Sequence, residues 1–123
     1  MSKKLSVLEL PIYKEYFEIF KEILEVLESL RSSNSQHIIL LTETYKTTIQ
    51  IFPQLNAGYN YWGTKGKLQI YNKVRMLISQ LQSQLYILHY LNIIEHDYFE
   101  PLENSIRYVG ALIKKIEGLP NEH

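Results

Sequence analysis

One stretch constrains the fold more than any other: 65–91, KGKLQIYNKVRMLISQLQSQLYILHYL. Within it Tyr71, Val74, Ile78, Leu81, Leu85 and Leu88 recur at steps of 3, 4, 3, 4 and 3. That a/d spacing puts one apolar seam down one side of a helix. No Pro or Gly interrupts the pattern after Gly66. At about 1.5 Å per residue such a helix runs roughly 40 Å. A rod of that length cannot bury its seam alone and needs partner helices of similar length.

The rest of the chain supplies them. A first helix is expected from about Leu8 or Pro11 to Leu30, with Pro11 in the first turn, where its missing N–H costs little. Ile12, Tyr16, Ile19, Ile23, Val26 and Leu30 form its seam, and Tyr13, Phe17, Phe20, Leu24 and Leu27 form a second stripe beside it. That second stripe fits either a central packing helix or a contact with another subunit. Arg31 to Ser35 reads as a loop, with Asn34 or Ser35 capping the next helix. The second helix starts near Gln36 and carries Leu41, Tyr45, Thr48, Phe52, Leu55 and Tyr59 on its expected apolar face. Pro53 falls inside it and predicts a kink, because the apolar spacing continues beyond. The segment NAGYNYWGTKG, 56–66, breaks the pattern, and Thr64 is the expected cap of the third helix. A fourth helix is expected from about Glu95 to Glu117, with Tyr98, Leu102, Ile106, Val109, Ile113 and Ile116 inward. Pro101 either bends its start or marks a later one, and Gly118 and Pro120 end it. Residues 1–7 and 119–123 are expected to be flexible ends. The whole, 1–123, reads as one all-α domain: an antiparallel up-down-up-down four-helix bundle.

Charge and chemistry narrow the function. Lys plus Arg number 13 and so do Asp plus Glu, so the net charge is zero. A field of one sign over the whole chain, the usual footprint of a nucleic-acid binder, is absent, and any such binding must come from a local patch. There is no Cys, which excludes disulfides and thiolate chemistry. The N-terminus lacks the apolar core of a signal peptide, and no run is long and apolar enough to span a membrane, so a cytoplasmic location is expected. None of His37, His89, His96 and His123 has a Glu three residues before it, so the E-x-x-H pair of carboxylate-bridged metal bundles is missing. No phosphate-cradling glycine loop occurs. No enzyme, cofactor, metal or small-molecule substrate is expected.

Two features point to partners. Lys65, Lys67, Lys73 and Arg75 cluster at the start of the third helix, just after Tyr59, Tyr61 and Trp62. Basic groups beside aromatics can hold phosphates and stack bases. Trp62 could equally plug the end of the bundle. Arg107, Lys114 and Lys115 form a smaller second set, which suits a helix C-terminus for stability alone. The polar side of the third helix, with Gln69, Asn72, Ser79, Gln80, Gln82, Ser83 and Gln84, is uncharged. Amides can hydrogen-bond across a contact without desolvating a charge, so this side fits a subunit or partner interface.

These residues also resemble a known family. Ile51-Phe52-Pro53 through Ala57-Gly58-Tyr59 is similar to an S-I-P-x-N-I-A-E-G-F-like segment. Arg75 and Ser79-Gln80-Leu81 through Gln84-Leu85 resemble an A-R-x-S-x-x-E-L-x-x-Q-L-like helix, and Leu91 to Ile94 a D-L-G-Y-L-like corner. All three motifs belong to a four-helix-bundle family. It includes proteins encoded by intervening sequences in bacterial large-subunit ribosomal RNA genes, and the accessory variability determinant, Avd, of diversity-generating retroelements. Ala57 and Gln80 stand where the family has Glu, and the amide-rich helix and abundance of Tyr look more like the Avd branch. That resemblance implies a barrel-like homopentamer that is not itself catalytic. It would bind a retroelement reverse transcriptase and its template RNA and support mutagenic cDNA synthesis. Lys65, Lys67, Lys73 and Arg75 would be the RNA or polymerase contacts. Gln69, Asn72, Gln80, Ser83 and Gln84 would lie at an interface. The other branch implies a structural or protein-interaction bundle with no nucleic-acid role.

Overall fold

The computed structural model describes residues 10–33 and 36–118. The expected flexible ends at 1–7 and 119–123, and the Asn34 or Ser35 cap, lie outside them. Four helices make up the fold: α1 (Pro11–Ser33), α2 (Ile38–Asn60), α3 (Thr64–Tyr90) and α4 (Phe99–Glu117). No strand occurs among the described residues. α3 packs most extensively on α2 and α4, while α1 packs on α2 and makes a smaller contact with α4.

All six seam residues of α3 are buried, with Leu77 beside them. Each such apolar side chain stabilises the fold by about 1.5–3 kcal/mol relative to leaving it in water. Ile12, Phe20, Ile23 and Leu27 are the buried residues of α1, so its core face takes members from both expected stripes. The reason is an aromatic cluster. Phe52 of α2 lies 4.5 Å from the Tyr13 ring, 5.2 Å from Phe17 and 5.1 Å from Phe20, centroid to centroid.

α2 corrects the expected face. Its buried residues are Leu41, Thr44, Thr47, Thr48, Ile51, Leu55 and Gly58, whereas Tyr45, Phe52 and Tyr59 are only half-buried. Three threonines enter the core because each satisfies its own hydroxyl. Thr44, Thr47 and Thr48 donate to the carbonyls of Leu40, Glu43 and Thr44 at 2.7, 3.0 and 2.8 Å. A buried hydroxyl with a partner avoids the desolvation penalty of an unpaired one. The helix runs through Pro53 to Asn60.

Two boundaries also differ from expectation. Thr64 is the first residue of α3 and not its cap; Gly63 precedes it with φ 102° and ψ 132°, backbone that side-chain-bearing residues rarely adopt. α4 begins at Phe99 rather than near Glu95. Asn92 takes a left-handed conformation (φ 62°), and the N–H groups of Ile93 and Ile94 both reach the Leu88 carbonyl, at 2.9 and 3.4 Å. The chain then packs Ile94 and Tyr98 into the core before the helix can start. Asp97 Oδ1 accepts the Phe99 N–H at 3.0 Å, and Pro101 falls in the first turn, where no intrahelical donor is lost. Pro101 therefore marks a later start.

Cross-helix contacts fix which parts meet. Tyr13 faces Phe52, and the Arg31 guanidinium stacks on Tyr45 at 4.5 Å. Gln80 donates to Thr47 Oγ1 at 3.3 Å. Buried Gln82 donates to the Phe99 carbonyl and to Glu103 Oε1, both at 3.0 Å. Tyr16 lies near Tyr108, and the Tyr98 hydroxyl donates to Glu22 Oε2 at 2.6 Å.

Burial pushes the Tyr71 and Tyr98 phenols well above the usual tyrosine range, and the Glu22 hydrogen bond and charge add to the shift at Tyr98. Burial raises Tyr108 and Tyr13 in the same direction. A raised folded pKa contributes stability that is complete below the unfolded value, near 10, and is lost as pH rises through the folded value. Thermal unfolding followed upward from about pH 9 is expected to show a melting temperature that falls above about pH 10, in step with tyrosinate absorbance.

Candidate functional site

The four basic residues expected to act together at the start of α3 have separate surroundings. Lys65 is exposed and lines a hollow of about 420 Å³ with Tyr61, Trp62, Gly66 and Gln69. Trp62 is 79% exposed, so it is a surface residue and not a plug. Gly66 leaves room for the Tyr61 ring, which a Cβ at that position would displace.

Lys67 turns inward. Its ammonium donates to the carbonyls of Gly58 and Tyr59, each at 2.8 Å, and sits 5.9 and 5.8 Å from the Tyr59 and Tyr71 ring centres. Carbonyls in the last turn of a helix lack intrahelical partners. Lys67 thus caps α2 from α3, with most of its donor capacity used inside the bundle. Lys73 is exposed and lines neither this hollow nor the next. Residues two apart on a helix point to different sides, which separates it from Arg75.

Arg75 instead joins the second basic set. It lines a cleft of about 440 Å³ between α3 and α4 with Asn72, Arg107, Gly110 and Lys114. The guanidinium lies against α4 at Gly110, where a Cβ would make an ordinary contact of 3.7 Å with Arg75 Nη1. Glu117 is the acid in this lining. Arg107 makes a loose, exposed pair with Glu103 at 3.8 Å, of a kind that contributes little to stability and leaves the group free to rearrange. The cleft therefore presents three cations from two helices that sequence spacing had placed in different groups.

The amide-rich stretch of α3 also divides. Gln69, Gln80 and Ser83 are exposed, Asn72 and Gln84 are half-buried, and Gln82 is inside. Asn72 donates to the Leu68 carbonyl of its own helix at 3.0 Å, and the Gln84 Oε1 is buried without a hydrogen-bond partner. Ser79 and Ser83 also belong to a longer outward row, Met76, Ser79, Ser83, Tyr86 and Tyr90, all exposed, Met76 at 70% and Tyr90 at 74%. Their steps of 3, 4, 3 and 4 make a second seam, uncharged, with two aromatics among its five residues. This spacing was present in the sequence but lay beneath the stronger inward seam.

No group of His, Asp and Glu among the described residues could hold a metal ion. Nor is any helix among them long and apolar enough to cross a membrane. Comparison with known proteins finds no family model, no curated protein and no solved structure that matches this chain.

Proposed function

We propose that this chain is a non-catalytic accessory protein of a diversity-generating retroelement, acting in the cytoplasm. It binds the reverse transcriptase and its template RNA and supports mutagenic cDNA synthesis. The observation that carries this reading is the α3–α4 cleft, where Arg75, Arg107 and Lys114 gather on a chain with no net charge. Clustered cations hold polyphosphate by displacing its counterions, whatever the charge of the remaining surface. Exposed Trp62, Tyr61 and Lys65 add a stacking platform beside the start of α3. The family resemblance supplies the polymerase and the RNA as partners.

In this reading the bundle is antiparallel, up-down-up-down, which the pairings Tyr13–Phe52, Thr47–Gln80, Gln82–Glu103 and Glu22–Tyr98 support. The chain assembles as a barrel-like homopentamer. The outward seam of α3 supports a contact between copies, since a neutral a/d face can meet a neighbour without desolvating charge. Five copies would multiply a modest cleft into a multivalent ring.

The test is reconstitution: purified chain, a retroelement reverse transcriptase and its template RNA, with cDNA yield as the readout and sedimentation for the subunit number. A salt-sensitive complex of the three and cDNA made only in its presence are expected. Unchanged cDNA synthesis without the chain would remove the accessory role. A second reading, a protein-interaction bundle of the ribosomal-RNA intervening-sequence type with no nucleic-acid role, is favoured by the same uncharged seam. Its mark is partner binding that salt does not weaken.

A further inference from the structure

A second hollow, about 620 Å³, lies between α1 and the α3–α4 connection. It sits far from the basic cleft, because Tyr98 precedes α4 whereas Lys114 lies in its last turn, about 24 Å along the axis. The hollow opens where the α3–α4 connection, and not a helix, faces α1, because α4 starts only at Phe99. Its floor is apolar: Val26, Leu30, Ile93, Ile94 and Tyr98. Its rim carries the carboxylates of Glu22, Glu25 and Glu95 beside His96, and no Lys or Arg lines it among the described residues. The Tyr98 hydroxyl, 2.6 Å from Glu22, holds that carboxylate at the wall and so fixes one side of the mouth.

We infer that this hollow is a docking site for a partner-protein segment that presents a bulky apolar side chain flanked by Lys or Arg. An apolar floor of this volume accepts a Leu- or Trp-sized anchor. Partly desolvated pockets that take a large apolar anchor are where binding energy concentrates in protein contacts. The acidic rim sets the charge of the flanks: cationic flanks approach with favourable electrostatics, while acidic ones are repelled. Nucleic acid is excluded as the occupant by the same rim. The site is independent of the basic cleft, so its failure would leave the RNA reading untouched.

The probe is a short fluorescein-labelled amphipathic helical peptide with Leu and Trp on one face and Lys on the other. Its counterpart carries Glu in place of Lys. Anisotropy is expected to show saturable binding of the Lys peptide to the full chain and none of the Glu peptide. Two variants at exposed positions keep the fold and should each lower affinity at least about tenfold. Glu25→Lys with Glu95→Lys reverses the rim, and Ser29→Trp fills the mouth without altering charge. Circular dichroism confirms that both remain helical. No binding of the Lys peptide, or binding that both variants leave unchanged, would overturn the proposal. Loss of self-association in the rim variant, seen by sedimentation, would overturn it too, by assigning the hollow to a second copy of the chain.

Discussion

Replacing Arg75, Arg107 and Lys114 together by Gln is expected to lower RNA affinity by about a hundredfold in about 0.1 M salt. Each phosphate contact on a single strand contributes about 0.7 to the slope of log affinity against log salt. Three contacts give a slope change of about 2, which is about two orders of magnitude between roughly 1 M and 0.1 M salt. The variant and the parent should therefore converge at high salt and separate as salt falls. Single replacements should each cost about fivefold on the same arithmetic. Lys73→Gln is expected to cost less than any of the three, because Lys73 is exposed but lines no part of the cleft. Filter binding over a salt series checks all of this. A triple variant with the parental salt slope would remove the cleft from the binding surface.

Tyr71→Ala carries the largest expected loss of stability, about 3–5 kcal/mol in line with other large aromatic truncations in cores. Tyr71 is buried and packs against both Gly58 of α2 and Lys67. Its ring lies close enough to Gly58 that a Cβ on that glycine would sit 3.0 Å from Cε1. It also flanks the Lys67 ammonium, whose other contacts are the last-turn carbonyls of α2. Truncation opens a cavity and loosens the α2–α3 join together. For a chain of this length the melting temperature should drop by roughly 10–20 °C. Urea unfolding followed by circular dichroism measures it. A loss below about 1 kcal/mol would mean that the site collapses around the missing ring.

How much was legible in the sequence varies with what sets each feature. The inward seam of α3 is fixed by period alone, and its residues are buried as a group. The spacing places Thr48 on the apolar face of α2, but Thr44 and Thr47 are missed because hydropathy counts them as polar. It cannot see that each hydroxyl bonds a carbonyl one turn back. Tyr98 is expected inward and is buried, but the late start of α4 depends on Asn92 taking a left-handed conformation, which no propensity count shows. The basic groups were visible one by one. Their grouping was not, since Arg75 and Arg107 come together only when α3 packs on α4. The role of Lys67 as a cap on α2 follows from a packed neighbour and has no local signature.

The separation of the basic cleft from the acid-rimmed hollow has a consequence for behaviour at a distance. With equal numbers of cations and acids, the chain has no monopole and is left with the steeper field of a dipole. Such a field fades within about one screening length, roughly 10 Å in about 0.1 M salt. A polyanion far away feels almost nothing, and attraction begins only when the correct end is already turned toward it. Shape and orientation then govern which polymer is held, and bulk polyelectrolyte competes weakly.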